Sequence, residues 1–371
     1  MLYVLYSSDY ELFLGGNRLP EAEVLIAPTE RLLDAAETLG VPITLFADVA
    51  CGWRYRELGQ PAFADAMDAQ LRRAIRRRHD VQTHLHPHWL TAGIERHRDG
   101  STRYQADASR YLLGNWAPGE GLRAFVRGLL RRAREHLVDI CTPEDTGYRC
   151  VAFRAGGYGL QPHAEDILGA LLDEDYTIDS SVVPGMVLES NVNRIDFRAV
   201  PRRGNYRLAP ERGLSVAAEA GIFEIPIPTA EASAARRATA ASLVRTGIRR
   251  LWPGRRSPES ARGYPIQASE QARPATRREV LLRKLEQVRQ GFSMLELNND
   301  PALMLEVTHR WIEAHQRPGQ DLYFSFSSHS KTITDANLRA LSRYHRGLVD
   351  RYGQGIRAIR FQDAAAQLGR A

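Results

Sequence analysis

The sequence predicts an α/β protein in which βα units surround a parallel sheet or barrel. Three observations point that way. Short apolar segments alternate with helical periodicities over most of the 371 residues. Many of those segments are apolar on both faces, as buried parallel strands are. The residues suited to chemistry fall at the C-terminal ends of such segments, where barrel proteins place their sites.

The first strand is LYVLYSS (2–8), an apolar stretch broken by Ser7, Ser8 and Asp9. The others are ITLFAD (43–48), VQTHLH (81–86), VAFRAG (151–156), TIDSS (177–181), IFEIPI (222–227), MLEL (294–297), LYFSFSS (322–328) and IRAIRF (356–361). Amphipathic helices are expected at 29–39, 61–78, 120–139, 162–173, 276–290, 302–315 and 335–351. Within 120–139, Leu122, Phe125, Val126, Leu129, Leu130 and Ala133 recur at three- and four-residue spacing. The accompanying Arg123, Arg127, Arg131 and Arg134 read as a solvated face. Before the helix at 302–315, Asp300 and Pro301 make a cap followed by proline in the first turn.

One stretch breaks the rhythm. Residues 230–275 are rich in Ala, Arg, Ser and Pro with little strand patterning, and read as an insertion in a single domain spanning 1–371. A short helix near 240–251 and a loop at WPGRRSPES are expected inside it.

Composition narrows the function classes. With 43% hydrophobic and 25% charged residues, and no apolar run near the roughly 18 needed to cross a bilayer, no transmembrane segment is expected. The start MLYVLYSSDY has no basic leader or Ala-x-Ala cleavage site, so a cytoplasmic location is expected. Cys51, Cys141 and Cys150 are odd in number and far apart, which fits a reducing compartment without disulfides. The net charge of +6 is carried almost wholly by arginine, Lys284 and Lys331 being the only lysines. Basic residues gather in 236–283 without any nucleic-acid-binding signature, so no nucleic-acid partner is expected.

The chemistry concentrates in HDVQTHLHPHW (79–89), which holds four of the eleven histidines. On a strand, His84 and His86 share one side, and Pro87 lets His88 fold back over the strand end. Imidazoles gathered at a strand end suit a divalent metal, provided a carboxylate completes the set. Asp9 and Glu11 supply it: period-2 geometry puts both on one face of the first strand, about 6 to 7 Å apart. One can bind a metal while the other takes a proton. Arg154 in FRAGGYG and His329 in YFSFSSHS stand at two further strand ends.

These segments resemble the polysaccharide deacetylases of the NodB-homology, carbohydrate esterase type. HDVQTHLHPH is similar to that family's metal-histidine segment, Asp9-Tyr10-Glu11 to its acidic pair, FRAGGYG to its third motif, IDSS to its fourth and FSFSSHS to its last. The resemblance spans roughly 2–200 and 290–361 and implies a distorted (β/α)7 barrel. It implies a metal held by Glu11, His84 and His88, most readily Zn2+, with Ni2+, Co2+ or Fe2+ as alternatives. It makes Asp9 the catalytic base, Arg154 the residue that orients it and His329 the general acid, with Asp179 a candidate partner for that acid. His86, Trp89, Tyr158 and Asp179 are expected around the substrate.

The implied activity is removal of an N-acyl group, acetyl foremost, from an amino sugar during assembly of a cell-surface polysaccharide or lipopolysaccharide O-antigen. The substrate could be acidic or lipid-linked, the arginine-rich insertion then touching it or the membrane surface. Two rivals accompany this reading: an inactive barrel that binds a glycan or assists its assembly, and an amidase or deformylase of the same fold acting on a small amide.

Overall fold

The computed structural model describes residues 1–116, 121–190, 192–231, 261–266 and 292–369. Seven parallel strands form the staves: β1 Leu2–Tyr10, β2 Thr44–Asp48, β3 Asp80–Leu85, β4 Ala152–Ala155, β5 Ile178–Asp179, β6 Ile222–Glu224 and β7 Leu322–Phe326. Their hydrogen-bonded order is β6, β5, β4, β3, β2, β1, β7. The outer side of β6 pairs antiparallel with Tyr206–Ala209, so only the chain beyond Glu224 reaches β7. There Ser325 donates its N–H to Pro226 O at 3.3 Å, and the Asn205 amide donates to Glu224 O and Tyr323 O at 3.3 and 2.8 Å. The staves therefore curl into the distorted (β/α)7 barrel that the resemblance implies, with a seam of single bonds in place of a full ladder.

Helices α1 Ala27–Thr38, α2 Val49–Glu57, α3 Pro61–Arg76, α4 Leu122–Cys141, α5 Ala164–Asp173, α6 Pro301–His315, α7 Asp335–Tyr352 and α8 Phe361–Leu368 surround the staves. Helix α3 starts with Pro61 in its first turn and buries Phe63, Met67, Leu71 and Ala74 at helical spacing. Helix α7 starts at a capping box, Thr334 accepting from Asn337 N while Asn337 Oδ1 accepts from Thr334 N. Helix α6 has the expected start: Asp300 accepts from Leu303 N at 3.1 Å, with Pro301 next.

Three expectations need correction, and one helix falls outside the expected set. The segment 294–297 is not a full stave: Phe292–Met294 pairs antiparallel with Thr229–Glu231, and only an isolated parallel bridge, Glu296 with Ser327, joins the segment to the chain just past β7. The segment 356–361 is strand only over Ile356–Ala358, because Arg360 and Asp363 cap α8, which begins at Phe361. Helix α2, absent from the expected helices, follows β2 directly at Val49; Asp48 stands at its N-cap position, but its carboxylate accepts from His86 N and Trp89 Nε1 and makes no side-chain cap. The arginines of α4 are not a plain solvated face: Arg127, Arg131 and Arg134 converge on the buried Glu174, and Arg123 pairs with Asp173. The expected helices at 240–251 and 276–290, the loop at WPGRRSPES and most of the 230–275 insertion lie outside the described residues.

A buried histidine ties the lower end of the barrel. His79 Nδ1 accepts the Ile43 N–H at 3.0 Å ahead of β2 and β3. Burial lowers its pKa to about 4, so the fold holds the neutral ring. The unfolded chain takes a proton near pH 6.5, which makes this contribution complete above that value and lost as pH falls toward 4. In urea unfolding, the wild type should lose about 3 kcal/mol more than His79→Gln between pH 7 and 4. Equal losses in the two proteins would contradict this role.

Candidate metal and catalytic centre

The upper ends of β1, β3, β4 and β7 meet in one buried cluster. Because β1 runs on past its apolar half to Tyr10, Asp9 lies beside the end of β7, donating its N–H to Ser328 O at 2.8 Å and bridging to His329. On β3, register with β2 and β4 sets His84 between Asp48 and Arg154.

Arg154 is the brace of this cluster and is fully buried. It donates to Asp9 Oδ1 at 2.7 Å, Ser180 O at 2.9 Å, Ser180 Oγ at 3.1 Å and Ser325 Oγ at 2.8 Å, so one guanidinium joins β4 to β1, β5 and β7. Burial opposes the charge on Asp9, but Arg154, then His84 and His329, outweigh it and hold the carboxyl below its usual range. The other oxygen, Oδ2, lies 3.6 Å from His329 Nε2.

Glu11 is also buried, and its two oxygens face different partners. Oε1 accepts from Lys331 Nζ at 2.7 Å, whereas Oε2 contacts His86 Nε2 and lies 3.6 Å from His84 Nε2. Burial opposes this charge too, yet Lys331 and the two histidines hold the carboxyl well below its usual range. His84 Nδ1 is hydrogen-bonded to Arg154 O at 2.8 Å, which aims Nε2 at Glu11. Ligand atoms of Glu11, His84 and His86 lie within 4.8 Å of one another, as do those of Asp9, Glu11 and His329.

His88, expected among the ligands, is not drawn into that trio. Pro87 starts a 3-10 turn, Pro87–Leu90, that takes the ring off the strand's alternation and stacks it on Tyr111 at 4.4 Å between centroids. Burial in this aromatic box lowers its pKa well below the usual value. His86, expected only near the substrate, stands in the trio instead. Gly156 makes room for it: a Cβ there would meet Leu85 O at 2.4 Å and the His86 ring at 2.8 Å.

The remaining expected residues fall in three settings. Half-buried Tyr158 stands near the acids: burial first, then Glu296 and Asp9, raise its pKa well above the usual value. Trp89 is fully buried and donates its indole N–H to Asp48 Oδ2 at 2.8 Å, a wall behind the histidines. Asp179 is fully buried with both oxygens on Ser181, so it is not the partner of His329. That partner is Glu296, whose Oε1 lies 3.0 Å from His329 Nδ1. Burial alone would lower the His329 pKa; the Glu296 hydrogen bond and the Asp9 charge push it up to about 9.

Glu296, Lys331 and Asp48 are the members that sequence reasoning missed. Lys331 had a signal, as one of two lysines in an arginine-rich chain. Asp48 had another, an acid closing an otherwise apolar strand; it accepts from His86 N, and burial raises its pKa to about 6. Glu296 had none, since its neighbours are sufficiently explained as a turn into α6.

The donor set fits a divalent cation. Buried Glu11 Oε2, His84 Nε2 and His86 Nε2 face one another and form no hydrogen bond with any other group among the described residues, and two imidazole nitrogens with one carboxylate oxygen make a three-ligand catalytic site. Polar atoms so deeply buried are costly unless something binds them.

No family model matches the chain, and no curated protein matches it. Among solved structures it is similar to a protein from Mycobacterium smegmatis assigned as a polysaccharide deacetylase, with 12% identity, 99% of this chain and 90% of that one covered, and a TM-score of 0.43. A family 4 carbohydrate esterase from Streptomyces lividans, in complex with acetate, gives 10% identity, 96% and 91% coverage and 0.37. PuuE allantoinase gives 11%, 98% and 89%, and 0.43. At such distances the chemistry is carried by the side chains rather than by these likenesses.

Proposed function

We propose that the protein is a metal-dependent hydrolase that removes an N-acyl group, acetyl foremost, from an amino sugar, acting in the assembly of a surface polysaccharide or O-antigen. The observation that carries this reading is the meeting of an arginine-held carboxylate, Asp9, with the convergent buried atoms Glu11 Oε2, His84 Nε2 and His86 Nε2. Glu11 Oε2, His84 Nε2 and His86 Nε2 would hold the metal, zinc foremost. When bound, such an ion supplies Lewis acidity toward an acyl carbonyl and acidifies water toward a pKa of about 7.

The chain's own groups divide the proton work. Arg154 occupies Asp9 Oδ1, leaving Oδ2 to take a proton from the attacking water. His329, 22% exposed and held by Glu296, carries a proton at neutral pH and delivers it to the departing amine. Its ring contacts the buried acids while remaining partly exposed, which suits a group that must meet a leaving atom. Tyr158 would form a wall of the substrate site. No helix among the described residues is long and apolar enough to cross a membrane.

A second reading is a barrel that binds a glycan without hydrolysing it, and the ion pair between Lys331 and Glu11 favours it, since it occupies a would-be ligand. Acetate release separates the two. The zinc-loaded protein is incubated with N-acetylated amino sugars as free, nucleotide-linked and lipid-linked forms. Zinc-dependent acetate release that His84→Ala abolishes is expected. Glycan binding without acetate release, unchanged in His84→Ala, would establish the binding reading instead.

A further inference from the structure

Lys331 is a charge in the centre for which the hydrolytic scheme has no task. It follows β7 in the turn Ser330–Thr332, two positions after His329, and its side chain is 11% exposed. The ammonium donates to Glu11 Oε1 at 2.7 Å and to Leu12 O at 3.2 Å, and stands 5.4 Å from the centroid of the Phe13 ring.

Its surroundings hold it there. Ser330 Oγ bonds Ser8 Oγ at 2.9 Å, tying the turn to β1. From the other side, Arg262 donates to Ile333 O at 3.0 Å and Lys331 O at 3.4 Å. Gly263 lies so close to Phe13 that a Cβ would come within 2.5 Å of the ring. Lysine suits this place where arginine would not. An ammonium is a compact charge that takes one oxygen, whereas a guanidinium forks across both and would cover Oε2 as well.

We propose that Lys331 is a positioning residue that restricts Glu11 to one-oxygen ligation through Oε2 and weakens the hold of the centre on a divalent cation. The inference rests on the metal-hydrolase reading. With Oε1 engaged, the carboxylate offers a single oxygen to an ion, and the ion then shares that carboxylate with a second positive charge. Both effects lower affinity, and both vanish with the ammonium.

The test is titration of the metal-free full chain with Co2+, read by its visible spectrum and by calorimetry, for wild type, Lys331→Met and Lys331→Gln. Both substitutions remove the charge, and each should tighten Co2+ binding at least tenfold. Methionine also frees Oε1, so its cobalt bands should weaken as the coordination number rises. Glutamine keeps a donor on Oε1 and should retain the wild-type spectrum. Thermal melting of the metal-free forms checks folding; should methionine prevent folding, the glutamine affinity decides. Unchanged or weaker Co2+ binding in a folded charge-removed variant overturns the role of Lys331 while leaving the metal site standing. A wild type that binds no Co2+ removes the metal reading, and this inference with it.

Discussion

Replacing Arg154 by methionine is expected to destabilise the protein by about 3–5 kcal/mol, the cost of leaving a buried charge without its partner. The guanidinium is fully buried and touches groups on three other staves, so the substitution strands Asp9 and also unpairs Ser180 O. Urea unfolding at pH 7 measures the loss. Asp9→Asn combined with Arg154→Met should recover part of it, because the stranded charge is then gone; the double-mutant cycle isolates the coupling. A single-variant loss below about 1 kcal/mol would mean that the pair is far better solvated than its burial indicates.

Asp9→Asn alone should reduce acetate release by about 10²- to 10⁴-fold, the range for removing a general base. Its zinc content should be unchanged, because Asp9 lies outside the trio whose bare atoms converge. The amide oxygen can still accept from Arg154, so stability should change little beside that of Arg154→Met. Rate and metal content thus part company in this variant, whereas in Glu11→Gln they fall together. Zinc lost from Asp9→Asn and kept in Glu11→Gln would exchange the two roles.

Much of this was legible from residue order, because local pattern and position along a strand are local properties. Apolar runs such as LYVLY and LYFSF identified β1 and β7, and the strand-end rule placed Asp9, Glu11, His84, Arg154 and His329 at one end of the barrel. What residue order did not carry was direction after a strand ends. His86 and His88 differ by one proline turn, and period-2 geometry stops at Pro87; the ring beyond it is aimed by Tyr111, distant in sequence. The partner of His329 was missed for a similar reason. Glu296 comes from a segment whose first residues pair antiparallel with Thr229–Glu231 while Glu296 itself bridges in parallel to Ser327 just past β7, a placement made across the fold. The arginines of α4 likewise looked solvated until the end of α5 brought Glu174 beneath them.

The central claim is that Glu11, His84 and His86 hold one divalent ion beside Asp9. Zinc bound per chain, measured after dialysis against the free metal, tests it most directly in wild type, Glu11→Gln, His84→Ala, His86→Ala and His88→Ala. One zinc per chain in wild type and His88→Ala, with less than stoichiometric zinc in the other three, is the predicted result. Zinc retained in His86→Ala and lost in His88→Ala would contradict the ligand set, and a wild type without zinc at any concentration tested would contradict the metal centre altogether.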